Sequence, residues 1–297
     1  MNDVKEYEVA IIIPCKNEGI YIKQTLDFLL QTEARSVSKI LVIDDCSNDN
    51  CCEFLKKKSM YYSNVSLIQT KGIGAAKARN LGASILKDAN ILVFCDAHII
   101  MKQNWLKELL TAFQSSEVSA VCPGIGHFDP NKPVGYGQTW NENLEVYWLK
   151  KPREVEEIPL GPGGCIAIRK TVFDSVAGFN KDFVSWGFED VELSLRLWLM
   201  GYKIFVHPGV KVGHKFRKVQ PYEVDLTEFY YNKLLMAFSH LNSNRLDKLL
   251  STMKQQSNYH KILERVLKNE VCKKREDYLK QRIHDDNWFF SKFNIPF

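Results

Sequence analysis

The feature that most constrains this chain is a set of apolar runs, four or five residues long with no polar alternation, each ending in turn or acidic residues. Val9-Ala10-Ile11-Ile12-Ile13 stops at Pro14, Lys39-Ile40-Leu41-Val42-Ile43 stops at Asp44-Asp45, and Ile91-Leu92-Val93-Phe94-Cys95 stops at Asp96. A strand with one wet face alternates polar and apolar residues, so unbroken runs predict strands covered on both faces, as in a parallel sheet. Segments of helical period lie between or after them, at residues 20–30, 52–59, 75–86 and 105–113. Strands alternating with helices predict a doubly wound α/β architecture. Such sheets bind ligands outside the carboxyl ends of their strands, where Asp44, Asp45, Asp96 and His98 fall.

The rest of the chain changes character. Residues 123–165 mix Pro and Gly with Tyr136, Trp140, Tyr147 and Trp148, which predicts loops and irregular strands over the end of the sheet. The four aromatics are read either as an acceptor platform or as packing beneath a long loop. Val191, Leu195, Trp198 and Leu199 recur on one helical face before Gly201 ends the helix. From about Asp225 the pattern is helical and basic, with an apolar stripe of Leu226, Tyr230, Leu234, Leu235 and Phe238. With 297 residues, the division expected is a catalytic domain over 1–222 and a helical extension over 223–297.

Composition removes several classes. At 45% hydrophobic and 25% charged residues the chain reads as globular. The net charge of +5 is too modest, and its basic residues too scattered, for a nucleic-acid partner. No apolar run approaches the roughly 20 residues of a spanning helix, which leaves peripheral membrane contact only. The start, Met1-Asn2-Asp3-Val4-Lys5-Glu6, carries no secretory pattern, and a cytoplasmic location is expected. Eight cysteines without C-x-x-C spacing support neither a disulfide framework nor a zinc motif, so free thiols are expected, with Cys15, Cys95 and Cys122 acting as small core residues.

Asp96-Ala97-His98, placed after a buried strand, resembles the metal motif of GT-A fold glycosyltransferases, in the Asp-x-His form of polypeptide N-acetylgalactosaminyltransferases. Ile13-Pro14-Cys15-Lys16-Asn17-Glu18 and Val42-Ile43-Asp44-Asp45-Cys46-Ser47 are similar to the first and second strand ends of family-2 glycosyltransferases. Gly72-Ile73-Gly74, with the helix through Arg79-Asn80, resembles the element that follows. Trp186-Gly187-Phe188-Glu189-Asp190 is similar to the family's acceptor-side motif, and Val212-Gly213-His214 to its later metal-ligand segment. Each motif is short, but their order over residues 9–218 makes the signal specific. The resemblance implies a GT-A sheet, mostly parallel and twisted, flanked by helices.

It also implies roles. A departing nucleoside diphosphate gains negative charge, which a divalent cation offsets. Asp96, His98 and His214 would hold that cation, and one carboxylate with two imidazoles favours Mn²⁺ over Mg²⁺, with Zn²⁺ as a softer alternative. Asp44 would accept from a pyrimidine N–H, hence a UDP-sugar donor. Pro14, Asn17 and Glu18 would border the base and ribose, while Gly72, at a helix entry, would face phosphate together with Arg79, whose other reading is a brace for Asp44. Ala97 lies between the two metal ligands, and Gly163-Gly164 would let donor sugar approach the backbone. Glu189 would hold sugar hydroxyls and Trp186 would offer a flat face. Asp190 would be the catalytic base. Polypeptide N-acetylgalactosaminyltransferases retain configuration and carry Asn at that position, whereas inverting relatives carry Asp, so this chain departs from its relatives by metal motif toward inversion. The function expected is a metal-dependent, inverting transfer of a sugar from a UDP-sugar donor to a glycan, peptide or protein acceptor. The alternatives are a sugar nucleotidyltransferase, whose Gly-rich basic signature near the first strand is missing, and a non-catalytic nucleotide-sugar-binding module.

Overall fold

The computed structural model describes residues 7–33, 37–57 and 59–297. The Met1–Glu6 segment, read above for a secretory pattern, lies outside the described residues. The first half alternates as the apolar runs predict: β1 Val9–Cys15, α1 Tyr21–Glu33, β2 Lys39–Asp45, α2 Glu53–Lys56, β3 Val65–Thr70, α3 Ala75–Ile85 and β4 Ile91–Cys95. Then follow β5 Ile99–Met101, α4 Trp105–Leu110, β6 Val118–His127, β7 Val134–Gly135, β8 Gln138–Trp140, β9 Val146–Trp148, β10 Glu156–Glu157, β11 Cys165–Arg169, α5 Lys170–Ser175, α6 Glu189–Leu199 and β12 Lys203–His214. Five helices close the chain: α7 Leu226–His240, α8 Ser243–Met253, α9 Tyr259–Leu267, α10 Val271–Gln281 and α11 Asp286–Lys292.

The main sheet runs β10-β12-β6-β11-β4-β1-β2-β3. β1 is parallel to both β2 and β4, β2 is parallel to β3, and β6 is parallel to β12, while β11 enters antiparallel between β4 and β6. After β3 the chain crosses back to place β4 on the other side of β1. That reversal opens a crevice at the carboxyl ends of β1 and β4.

Alternate residues of β1 enter two different cores, which is what an unbroken apolar strand encodes. Ala10 and Ile12 join one cluster, and Val9, Ile11 and Ile13 join the other. The first cluster also takes Trp140, Trp198, Leu234, Met236, Phe289 and Phe290, so the C-terminal helices share a core with one face of the sheet. α7 is therefore buried around most of its second half, while Leu226 of the expected stripe is 62% exposed. The 105–113 helical segment splits into α4 and a following 3-10 turn, and among the described residues of the 52–59 segment only Glu53–Lys56 are helical. All eight cysteines are free. No helix among the described residues is long and apolar enough to cross a membrane.

Candidate active site

A cavity of about 640 Å³ opens at the strand ends, bordered by Glu18, Arg79, Asp96, His98, Asp190 and His214 among others. Asp96 and His98 follow β4 directly. Thr25 of α1 clasps their turn, its hydroxyl donating to the Ile99 carbonyl (2.9 Å) and accepting from the Ile99 N–H (3.0 Å). His214, distant in sequence, arrives because β5 pairs antiparallel with the end of β12, setting His214 opposite Ile99. The Lys215 N–H then donates to the His98 carbonyl at 3.1 Å.

Asp96, His98 and His214 each offer a ligand atom, and these atoms lie within 4.8 Å of one another. His214 Nε2 is 3.1 Å from Asp96 Oδ2, and the His98 and His214 rings sit 4.6 Å apart between centroids. His98 Nδ1 is 3.0 Å from Glu18 Oε2, and Arg217 grips the same carboxylate with both terminal nitrogens. A carboxylate on one imidazole nitrogen fixes the ring and frees the other nitrogen for a cation. Burial alone would raise both carboxyls, but His98 and Arg217 hold Glu18 below its ordinary value. For Asp96, the His214 hydrogen bond and the charges of His98 and Arg79 do the same, more strongly. The set suits a borderline divalent cation.

Arg79 is fully enclosed beneath this group. Its guanidinium donates to Asp96 Oδ1 (3.1 Å) and Glu189 Oε1 (2.9 Å) and does not reach Asp44. Glu189 also accepts from the Gly187 N–H at 2.8 Å, so both its oxygens are engaged. Asp190, the next residue of α6, accepts from the N–H groups of Gly163 (2.7 Å) and Val191 (2.8 Å). Burial first, then the neighbouring Glu189 charge, push its carboxyl up to about 6. A Cβ on Gly163 would meet Asp190 Oδ2 at 3.0 Å, and one on Gly164 would meet His214 Cδ2 at 3.3 Å, so the glycine pair is set by close approach.

Pro14, Gly72, Ala97 and Trp186 also border the cavity, and Trp186 stacks on Phe229 with centroids 6.1 Å apart. Asp44 and Asn17 do not border it. Asp44 accepts from the Ser47 N–H (3.1 Å) and Gln69 Nε2 (3.0 Å), while Asn17 ties the loop after β1 to the loop after β2 through Ser47 and Asn48. Asp45 shapes the entry to α3, accepting from the N–H groups of Ile73 and Gly74. Of the four aromatics in 123–165, Tyr136 and Trp140 are buried, while Tyr147 and Trp148 are exposed and Trp148 borders the cavity.

Sequence reasoning gave no role to Thr25, Arg217 or Asn232. Asn232 of α7 donates to the carbonyls of Val184 and Gly187 (both 2.9 Å) and accepts from the Val184 N–H (3.1 Å). It thereby pins the Trp186 loop, where Ser185, Gly187 and Phe188 all have positive φ. The sequence signal for Arg217 is a basic residue three positions after His214.

The fold that places a carboxylate and two imidazoles at the floor of this switch-point crevice matches that of GT-A glycosyltransferases. Solved structures agree: "Crystal structure of GalNAc-T7 with UDP, GalNAc and Mn2+" superposes with a TM-score of 0.80 at 21% identity, covering 99% of this chain and 59% of that one. "Crystal structure of S. aureus TarS 1-349 in complex with UDP-GlcNAc" gives 0.58 at 18% identity, covering 84% and 74%. Residues 10–177 match Glycosyl transferase family 2, and residues 151–219 match the N-terminal domain of galactosyltransferase. The chain belongs to glycosyl transferase family 2. Polypeptide N-acetylgalactosaminyltransferase 4 of Mus musculus is 31% identical over 237 residues, covering 72% of this chain and 40% of the relative. Polypeptide N-acetylgalactosaminyltransferase 6 of Bos taurus is 30% identical over 240 residues, covering 72% and 38%. The chain thus matches well under half the length of these curated relatives.

Proposed function

We propose that this chain transfers a sugar from a UDP-sugar to a glycan, peptide or protein acceptor with inversion at the anomeric carbon. The observation that carries the reading is the convergence of Asp96, His98 and His214 at the cavity floor, with Asp190 on an adjoining wall. UDP as the nucleotide is supported by solved structures named with UDP and with UDP-GlcNAc, and Mn²⁺ as the ion by the one named with Mn²⁺. Asp96, His98 and His214 would hold Mn²⁺, which supplies positive charge against a leaving diphosphate.

The protein's own groups do the rest. Arg79 keeps Asp96 ionised and aimed, and Glu18 with Arg217 fixes His98. Asp190, with its carboxyl at about 6, is mostly ionised at neutral pH and basic enough to take the acceptor's proton. Gly163 and Gly164 leave room for donor sugar, and Trp186 gives the acceptor side a flat apolar surface. Residues 1–222 carry this machinery and 223–297 buttress it. Eight unpaired cysteines suit a reducing compartment such as the cytoplasm.

The test is incubation of purified chain with UDP-hexoses and UDP-N-acetylhexosamines, with and without Mn²⁺, scoring UDP release and the anomeric configuration of products. Mn²⁺-dependent release abolished in Asp96→Asn supports the reading. Absence of binding and turnover with every donor and divalent ion rejects it, and a retained anomeric configuration rejects inversion and the base role of Asp190.

A further inference from the structure

Beside the cavity, three cysteines from a strand end and a separate loop meet in one place. Cys15 ends β1, and Cys51 and Cys52 precede α2. The sulfur separations are 3.7 Å for Cys15 to Cys51, 3.6 Å for Cys15 to Cys52 and 3.8 Å for Cys51 to Cys52. All three are buried, and Cys15 also borders the cavity, which gives an entry path. Metal–sulfur bonds of about 2.3 Å at tetrahedral angles place the sulfurs about 3.8 Å apart. The triangle already has those dimensions.

A thiol pair elsewhere in the protein shows what mere packing looks like. Cys95 and Cys165 are 3.8 Å apart because β4 and β11 set them directly opposite, and they have no third thiol. The Cys15 group differs in having three members and oxygen donors alongside. Ser47 Oγ is 3.6 Å from Cys51 Sγ, and the Asp49 carboxylate interacts with the Cys51 thiol while accepting from the Cys51 and Gly19 N–H groups. No C-x-x-C spacing signals this site, since the third sulfur comes from another strand.

We propose that Cys15, Cys51 and Cys52 form a thiolate site for Zn²⁺, with Asp49 or solvent in the fourth position. Three S–H bonds break, three Zn–S bonds form, three protons pass to solvent, and nothing is oxidised or reduced. The ion would clamp the loop at residues 46–52 onto the loop at residues 15–19. That second loop carries Glu18, which orients His98, so the site would stiffen the wall of the donor cavity from behind.

The experiment uses the whole chain, untagged and purified under reducing conditions. Elemental analysis of protein as isolated should give about one Zn²⁺ per chain, released by a thiol-modifying reagent. Replacement of Zn²⁺ by Co²⁺ should give sulfur-to-cobalt charge-transfer absorption, which Asp96, His98 and His214 cannot produce because they offer no thiolate. The bands should survive in Cys95→Ser and vanish in Cys52→Ser. Should Cys52→Ser fail to fold, loss of the bands from wild-type protein on thiol modification reads the same point. Absence of charge-transfer absorption in reduced wild-type protein at saturating Co²⁺ overturns the proposal. So does an intact mass two hydrogens lighter, mapping to a disulfide within this trio in protein as isolated.

Discussion

Replacing Asp190 by Asn should move activity and stability in opposite directions. Its carboxyl is raised from 3.8 to about 6 by burial and by Glu189, and its two oxygens accept from Gly163 and Val191. A folded-state value above the unfolded one means that the folded protein binds the proton more tightly. Stability therefore falls as pH rises above about 4 and levels off above about 6, a difference of about 3 kcal/mol at 1.36 kcal/mol per pH unit. Asn carries no charge and can still accept from Gly163, but its NH₂ faces the Val191 N–H, which takes back about 1–2 kcal/mol. The net gain at pH 7 is about 1–2 kcal/mol, or a melting temperature higher by roughly 2–8 °C. Activity should drop about 10²–10⁴-fold in kcat, the ordinary worth of a general base. Wild-type kcat should fall about tenfold per unit below pH 6, and the variant should lose that limb. Initial rates of UDP release from pH 5 to 8, beside thermal melts at pH 5 and 7, read both effects. A variant within tenfold of wild type, or one that keeps the acidic limb, refutes the assignment.

Three further perturbations test the supports of the site. Glu18→Gln removes the charge that orients His98 and should weaken Mn²⁺ binding about 10–100-fold by calorimetric titration, with the melt little changed; unchanged affinity would show that His98 needs no such brace. Glu192→Ala strips a buried carboxylate of its bonds to Arg196 (2.7 and 2.9 Å) and His240 (2.8 Å) and should cost about 3–5 kcal/mol in urea unfolding. The Glu192 carboxyl is held at about 2, mainly by Arg196 acting against burial, so its contribution is present above its ordinary 4.5 and lost as pH falls toward 2. Asn232→Ala should loosen the Trp186 loop, raising amide exchange at residues 184–187 and lowering kcat about 10–100-fold; exchange confined to wild-type rates would remove Asn232 from this role.

The sheet was legible because burial on both faces leaves an unmistakable pattern in β1, β2 and β4. β6 was not, since Cys122-Pro123-Gly124-Ile125-Gly126 reads as irregular chain. In the fold Gly124 is demanded by contact, since a Cβ there would meet the Tyr136 ring at 2.5 Å. Asp96, His98 and His214 were recognisable as a set from motif order, but nothing local predicted that the short β5 would carry His214 to His98. Occupancy was hidden too. Glu18, Glu189 and Arg79 read as ligand-facing groups, yet Glu18 is taken up by His98 and Arg217, and Glu189 by Gly187 and one end of the Arg79 guanidinium, which a sequence cannot display.

α6 ties the C-terminal helices to the cavity although none of the motifs lie in them. α6 begins with Glu189, buried against Arg79, and Asp190, which borders the cavity, and one turn later Glu192 is bonded to Arg196 and to His240 of α7. α7 also supplies Asn232 to the loop that enters α6. Both the approach to α6 and its first turn are thus tied to one later helix through buried polar bonds, which tolerate little displacement before leaving charge unpaired in the core. The Asp190 carboxylate, whose proton affinity depends on its burial against the Gly163 backbone, therefore sits on a helix start that α7 braces.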